Sequence, residues 1–296
     1  MQYVTCNLCG GDRYRVLFAA GVAQPNQVVR CLACGLMYGN PRVGRVDADR
    51  FAEHDPAFLT EILSRGHDPR IDKEKFQVVD YADTRATLAE MFPHRGRLLE
   101  IGSSFGFLSD YFRRDGWNVS GLDCDPIPSR HAEEVLGIPV FRGILPEAQL
   151  PDESKDAILM MHVIEHVPDP VETLADLKRI LRPGGALVLE TPRFDSLMFR
   201  LLGKRERSIA CDGHIYFFTT KTLSAMVRKA GFEIVRLDIV GRSLSLERLA
   251  WNLAVMSKSP RAQRWVEGLA KHPKLRDLRV KLNARDMQRL VLRKPA

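Results

Sequence analysis

The run Arg97-Leu-Leu-Glu-Ile-Gly-Ser-Ser-Phe-Gly-Phe107 constrains this chain more than any other stretch. Leu98, Leu99 and Ile101 predict a buried strand, and the small residues Gly102, Ser103, Ser104 and Gly106 predict a tight turn into a helix. Side chains that small let the backbone pass close beneath a ligand, and the first amides of the helix are free to face it. Strand, turn and helix in that order belong to open α/β sheets, which bind ligands beyond the carboxyl ends of their strands. Glu100 falls at such an end. A second run, Trp117-Asn-Val-Ser-Gly-Leu-Asp123, closes on another acid 23 positions later, suitably placed for the hydroxyls of a ribose.

The order of these residues separates two kinds of nucleotide site. A dinucleotide site reads G-x-G-x-x-G because the pyrophosphate needs close backbone approach. Here an acid comes first, followed by Gly102, then Ser104 where a third small residue is expected, then Gly106. A carboxylate beside the turn suits a cationic ligand better than a pyrophosphate. S-adenosylmethionine, with its ammonium and sulfonium, is such a ligand.

Strand and helix patterns then alternate. Ile71 to Phe92 has apolar residues at helical spacing and stops at Pro93. A helix is predicted from about Ser129 to Leu136, a short strand at Ile138–Phe141 and a buried strand at Asp156–Met161. Pro170 opens a helix carrying Leu174, Leu177, Ile180 and Leu181, which Arg182-Pro-Gly-Gly185 ends, and Ala186–Glu190 is a further strand. This alternation implies a doubly wound parallel sheet.

Four of the six cysteines are grouped as Cys6-x2-Cys9-Gly and Cys31-x2-Cys34-Gly, with 21 residues between the pairs. The spacing is that of a two-knuckle zinc ribbon, whose four thiolates close a tetrahedral, structural shell. A disulfide pairing is the alternative, disfavoured in a reducing compartment. Tyr14–Phe18, Gln27–Arg30 and Leu36–Tyr38 read as its short strands. The predicted organisation is a zinc ribbon at 1–41, a connector at 42–70 and a catalytic domain at 71–296, with 241–286 an inserted lid or basic helical segment.

No apolar run reaches the roughly 18–20 residues of a membrane span, and the start MQYVTCNLCGG lacks the pattern of a secretory signal. A cytoplasmic protein is expected. The net charge of +7 is uneven: from Arg242 to Ala296 there are 14 Lys and Arg against 4 Asp and Glu, +10, which leaves −3 on the other 241 residues. The basic end suits nucleic acid, an anionic lipid surface or a phosphorylated substrate, or is a solvated helical face.

From Arg97 to Asp238 the chain resembles the class I S-adenosylmethionine-dependent methyltransferases. It looks most like the ubiquinone-biosynthesis-type O-methyltransferases and bacterial enzymes acting on sugars or natural products. The matching words are LLEIGSSFGFL, VSGLD, DAILMMHVIEHVPDP, LRPGGALVLETP and GHIYFFTTKTLSAMVRKAGFEIV. The resemblance implies a Rossmann-like, seven-stranded sheet whose last strands, Phe232–Val240 and Met287–Arg293, form a reversed hairpin at the edge. It implies Glu100, Gly102 and Gly106 around the methionyl part of the cofactor, with Ser103 and Ser104 in the same turn. Asp123 would hold the ribose, Ile144 and Leu145 would flank adenine, and Met161 and His162 would face the reacting centre. Cys124, next to Asp123, is expected to line the adenosine pocket. Ser104 departs from the family's middle glycine.

Methyl transfer to a hydroxyl needs close approach and a base for the proton. The candidates are His162, Glu165, His166 and His214. One reading makes His162 or His214 the base, with Glu165 and His166 orienting the loop; His162 and His166, four apart, would share a face of a helical turn. A second reading makes the cluster a divalent-metal site, since some relatives carry a Glu-x-x-Glu-His word whose first glutamate is His162 here. A third reading leaves Glu165-His166 as scaffold for the following turn. Phe194 to Ala210 and Leu244 to Met256 are expected to meet the acceptor, as a lid, a homodimer interface or a membrane-resting surface. The predicted acceptor is a small molecule or glycan methylated on oxygen, such as a nucleotide- or lipid-linked sugar or a natural product. An RNA 2′-O-methyltransferase and a non-catalytic zinc-ribbon interaction protein rank below it, and nucleic acid is not the expected partner.

Overall fold

The computed structural model describes residues 2–42, 77–206, 208–209, 211, 213–245 and 279–296, with the backbone alone at 242–245 and 279–284. The amino-terminal strands are β1 (Tyr14–Phe18), β2 (Val28–Cys31) and β3 (Met37–Gly39). Then follow α1 (Ala82–Met91), β4 (Arg97–Ile101), α2 (Phe107–Arg113), β5 (Asn118–Asp123), α3 (Pro126–Glu134), β6 (Val140–Arg142) and β7 (Lys155–Met161). The chain continues with α4 (Pro170–Ile180), β8 (Leu181–Pro192), α5 (Leu197–Leu202), β9 (Tyr216–Phe217), α6 (Thr220–Lys229), β10 (Glu233–Ser245) and β11 (Arg279–Arg293).

Seven strands form one sheet in the order β10-β11-β8-β7-β4-β5-β6. The run from β8 to β6 is parallel, and β11 lies antiparallel between β8 and the edge strand β10. Neighbouring residues of the central strands go to opposite faces. Leu99, Ile101, Ile158, Met160, Leu187 and Leu189 share one core with Leu174 and Leu177 of α4 and Leu223 and Met226 of α6. Leu98, Ala157, Leu159, Ala186 and Val188 share the other with Leu88, Phe112 and Ala132 of α1, α2 and α3. A sheet buried on both faces has near-continuous apolar strands, which is why the Rossmann-like, doubly wound fold was readable.

The edges of several elements differ from the sequence reading. α3 begins at Pro126, not Ser129, because Asp125 caps it by accepting from the Ile127 amide at 3.0 Å. β6 is Val140–Arg142 rather than Ile138–Phe141. β8 already starts at Leu181, opposite Lys155; residues 182–185 then loop out and pairing resumes with Ala186 opposite Ala157. The edge hairpin is longer than expected, reaching Ser245 and resuming at Arg279. Most of the 42–70 connector and most of the Leu244–Met256 segment lie outside the described residues.

The amino-terminal strands β1, β2 and β3 are antiparallel, and β9, from beyond the sheet's last parallel strand, joins them as a fourth: Met37 pairs with Phe217 and Tyr38 with Tyr216. The first cysteine knuckle is also tied to the larger core. Lys229 Nζ donates to the Leu8 carbonyl at 2.8 Å, and the Val171 amide donates to Asn7 Oδ1 at 3.1 Å.

Candidate active site

The turn after β4 is built on left-handed backbone: φ is 72° at Gly102, 45° at Ser104 and 82° at Gly106. A Cβ on Gly102 would lie 2.4 Å from Val163 Cγ2, so glycine is required there for space as well as conformation. Ser104 is held in its conformation by its amide, which donates to Asp123 Oδ2 at 2.7 Å; the Asp125 amide donates to Asp123 Oδ1 at 2.8 Å. Burial raises the Asp123 pKa above the usual carboxylate value, against the pull of these two amides. Glu100 is buried and its Oε2 accepts from Ser109 Oγ at 2.6 Å. Because Glu100 lies opposite Gly121 in the β4–β5 register, the two acids close adjacent parallel strands.

The other expected cofactor residues border this turn. The Gly143 amide donates to the Asp123 carbonyl at 2.9 Å, which brings Ile144 and Leu145 to the end of β5; Leu145 is buried and opens a short 3-10 turn. Burial pushes the Cys124 thiol up to about 11, so it stays neutral. The Ser103 hydroxyl is buried with no partner among the described residues. Two carboxylates, an unsatisfied hydroxyl and a small-residue turn at the strand ends fit a cationic nucleoside such as S-adenosylmethionine.

Beyond β7 the backbone turns abruptly, with His162 at φ 58°. The expected helical turn carrying His162 and His166 on one face does not form; a hydrogen-bonded turn takes its place, closed by the His166 amide on the Val163 carbonyl at 2.9 Å. His162 instead reaches two buried acids, with Nε2 3.2 Å from Glu190 Oε1 and Nδ1 3.6 Å from Glu165 Oε1. Burial opposes ionisation of both acids. His162 and Arg289 outweigh it at Glu190, whose pKa falls to about 2, and the three histidines, His162 foremost, hold Glu165 below the usual range. Glu165 Oε2 accepts from Thr191 Oγ1 at 2.9 Å, and its Oε1 has no hydrogen-bond partner among the described residues.

His166 and His214 meet edge to face at 4.6 Å between ring centres. His166 Nδ1 lies 3.0 Å from the Gly213 carbonyl and donates to it. His214 is 8% exposed, and burial, with His166 beside it, lowers its pKa to about 4. It is therefore neutral near pH 7, and its Nδ1 has no hydrogen-bond partner among the described residues. Glu165, His166 and His214 each offer a ligand atom, all within 4.8 Å of one another.

Glu190, Thr191 and Arg289 did not stand out in the sequence. Glu190 carried the same signal as Glu100 and Asp123, an acid closing a buried strand. Arg289 was the one cation inside Met287–Leu292, otherwise apolar apart from Gln288.

In the ribbon, the sulfurs of Cys6, Cys9, Cys31 and Cys34 also lie within 4.8 Å of one another, with Cys6–Cys34 at 3.4 Å and Cys9–Cys31 at 3.5 Å. Tetrahedral zinc with bonds of ~2.3 Å spaces its sulfurs about 3.8 Å apart, so the set fits the ion. Burial disfavours the Cys31 thiolate, but the Cys34 and Ala33 amides more than compensate and bring its pKa to about 7. Burial pushes Cys34 up to about 11.

A family model described as a methyltransferase domain matches residues 74–237, more than half of the 296 residues. A ubiquinone biosynthesis O-methyltransferase of Cereibacter sphaeroides is 31% identical over 185 residues, 58% of this chain and 74% of the relative. A protein of the same name from Paramagnetospirillum magneticum is 38% identical over 104 residues, 33% of this chain and 41% of that relative's length. Among solved structures, a SAM-dependent methyltransferase from Archaeoglobus fulgidus superposes with a TM-score of 0.48 at 19% identity, covering 81% of this chain and all of that one.

Proposed function

The chain belongs to the class I S-adenosylmethionine-dependent methyltransferases, and from that premise we propose that it methylates a hydroxyl oxygen of a small molecule, with a ubiquinone precursor as the model acceptor. The shared name of the relatives supports this acceptor over the sugar, glycan or RNA that the sequence also admitted. The cofactor-binding set is Glu100, Gly102, Ser103, Ser104 and Gly106 at the methionyl end, Asp123 at the ribose, Cys124, Ile144 and Leu145 at adenine, and Met161 with His162 toward the reacting centre. The ribbon holds one structural zinc on Cys6, Cys9, Cys31 and Cys34, in keeping with the reducing cytoplasm. Residues 1–41 form the ribbon and 71–296 the transfer domain.

When bound, S-adenosylmethionine supplies a methyl group activated by the sulfonium. The protein's part is to exclude water, orient the acceptor and take its proton. His214 is the base in this reading. The observation that carries it is a buried, neutral imidazole whose Nδ1 has no partner among the described residues. Glu165 follows as the counter-charge for the imidazolium that forms, and His162, braced by Glu190, fixes the Glu165 carboxylate. The exposed Leu197, Met198 and Leu201 of α5 cover the acceptor as an apolar lid.

The test is His214→Ala with labelled cofactor and a small-molecule extract. Label transfer should fall at least a hundredfold, the scale of general-base catalysis, with S-adenosylmethionine affinity unchanged by calorimetry. Undiminished transfer removes His214 from the mechanism.

The three ligand atoms of Glu165, His166 and His214 favour a second reading, a divalent ion held by two imidazoles and a carboxylate. The ion would supply Lewis acidity toward the acceptor oxygen, and His214 would bind it instead of the proton. Metal analysis separates the two: this reading requires a second ion per chain, beyond the ribbon's, that His214→Ala loses.

A further inference from the structure

The ribbon and the loop carrying His214 are one piece of structure. β9 has two residues, and its sheet partner is β3 of the ribbon. A strand so short does not persist alone. The Gly39 amide donates to the Ile215 carbonyl at 2.8 Å, next to His214. On its other side, the same strand grips the loop after β7: the Ile215 and Tyr216 amides both donate to the Glu165 carbonyl, at 2.8 and 3.0 Å. The backbone of β9 is thus clamped between the ribbon and Glu165.

One side chain closes the clamp. Arg42, the residue that directly follows the ribbon, is buried. Its Nη1 donates to the Tyr216 hydroxyl at 2.7 Å and its Nη2 to the Pro168 carbonyl at 2.7 Å. The Tyr216 hydroxyl donates in turn to Pro168 at 3.1 Å, and the guanidinium lies 5.1 Å from the centre of the Tyr216 ring. Tyr38 of β3 stacks on Tyr216 at 6.4 Å. No carboxylate pairs with Arg42 among the described residues. A guanidinium buried without a counter-ion gives up hydration that an apolar side chain would not. What it provides here is a two-pronged join, in a planar geometry lysine lacks, between 163–168 and β9.

We propose that the cysteine ribbon acts as a fixed brace for the active-site loops, and that Arg42 is the positioning residue that fastens Glu165 and His214 in register. The proposal rests on the reading of these loops as the reacting centre, and its test is independent of methyl transfer. His214 is buried, as is His131, whose ring contacts the Phe105 carbonyl on the cofactor side. The rate at which diethyl pyrocarbonate modifies each histidine, read by peptide mass spectrometry on the full chain, reports local opening. Arg42→Met should speed modification of His214 at least tenfold and leave His131 within twofold. S-adenosylmethionine affinity should stay within threefold. Tyr216→Phe, which keeps the ring and removes one hydroxyl, should act in the same direction, and Arg42→Lys should restore only part of the protection. Unchanged protection of His214 in both Arg42→Met and Tyr216→Phe overturns the proposal. Equal exposure of His214 and His131 also overturns it, as general unfolding. Failure of His214→Ala to reduce transfer would sink the base assignment and leave the brace standing.

Discussion

Ser104 sits at φ 45°, a conformation that costs a residue with a Cβ about 1 kcal/mol or more. Its amide is fixed on Asp123, so the strain is held by the same carboxylate assigned to the ribose. Ser104→Gly should therefore raise the melting temperature by about 2 °C, less whatever glycine adds to the entropy of the unfolded chain, without weakening S-adenosylmethionine binding; calorimetry reads both. Gly102→Ala should do the reverse. Its Cβ meets Val163 at 2.4 Å, and the push falls on the turn beside His162, so cofactor affinity should drop at least tenfold in the same titration. The sequence showed these positions as small residues in a turn. It did not show that Ser104 is left-handed, because serine in a turn is compatible with several backbone conformations, or that Gly102 is crowded by a residue 61 positions later.

Between elements, the buried pair Glu190–Arg289 joins β8 to β11, where the two residues are directly opposite. Arg289 Nε donates to Glu190 Oε2 at 2.6 Å, and its Nη1 reaches Thr84 of α1 at 3.0 Å. Both side chains are 4% exposed. Removing the cation leaves a buried charge, so Arg289→Met should cost about 3–5 kcal/mol in denaturant unfolding. Together with His162, the foremost cause of the low Glu190 pKa, the pair also sets a pH dependence. Glu190 titrates at about 2 in the folded chain and near 4.5 unfolded. Its contribution, about 3 kcal/mol, is complete above pH ~4.5 and is lost as the pH falls toward 2. The slope of unfolding free energy across that window should shrink in Glu190→Gln, and an unchanged slope would show that the acid is not held low. Strand existence was legible from apolar runs, and the pairing of β11 inside the edge hairpin followed the family pattern. The ion pair was not legible, because its members are 99 residues apart and each alone reads as an ordinary strand-end polar residue.

At the scale of the whole molecule, the two most local signals, the small-residue turn at 102–106 and the paired Cys-x-x-Cys knuckles, were both read correctly as elements. Their relation to each other was invisible. The ribbon looked like an appended module because nothing in Cys6–Pro41 names β9, α4 or α6 as partners. Yet Arg42 and Tyr216 meet across 174 positions, Leu8 and Lys229 across 221. Such contacts predict that the ribbon unfolds as part of one cooperative body rather than as a bead on a linker. The zinc proposed for the ribbon, bound only by its folded form, would add its binding free energy to folding, and in a cooperative body the whole protein would gain it. Cys34→Ser, with metal content checked by elemental analysis, should lose the ribbon's zinc and lower the melting temperature of the entire chain in a single calorimetric transition. An independent ribbon would behave otherwise: the main transition would stay where it is in the wild type, and only a small, separate low-temperature event would disappear. That second outcome would detach the ribbon's stability from that of the transfer domain.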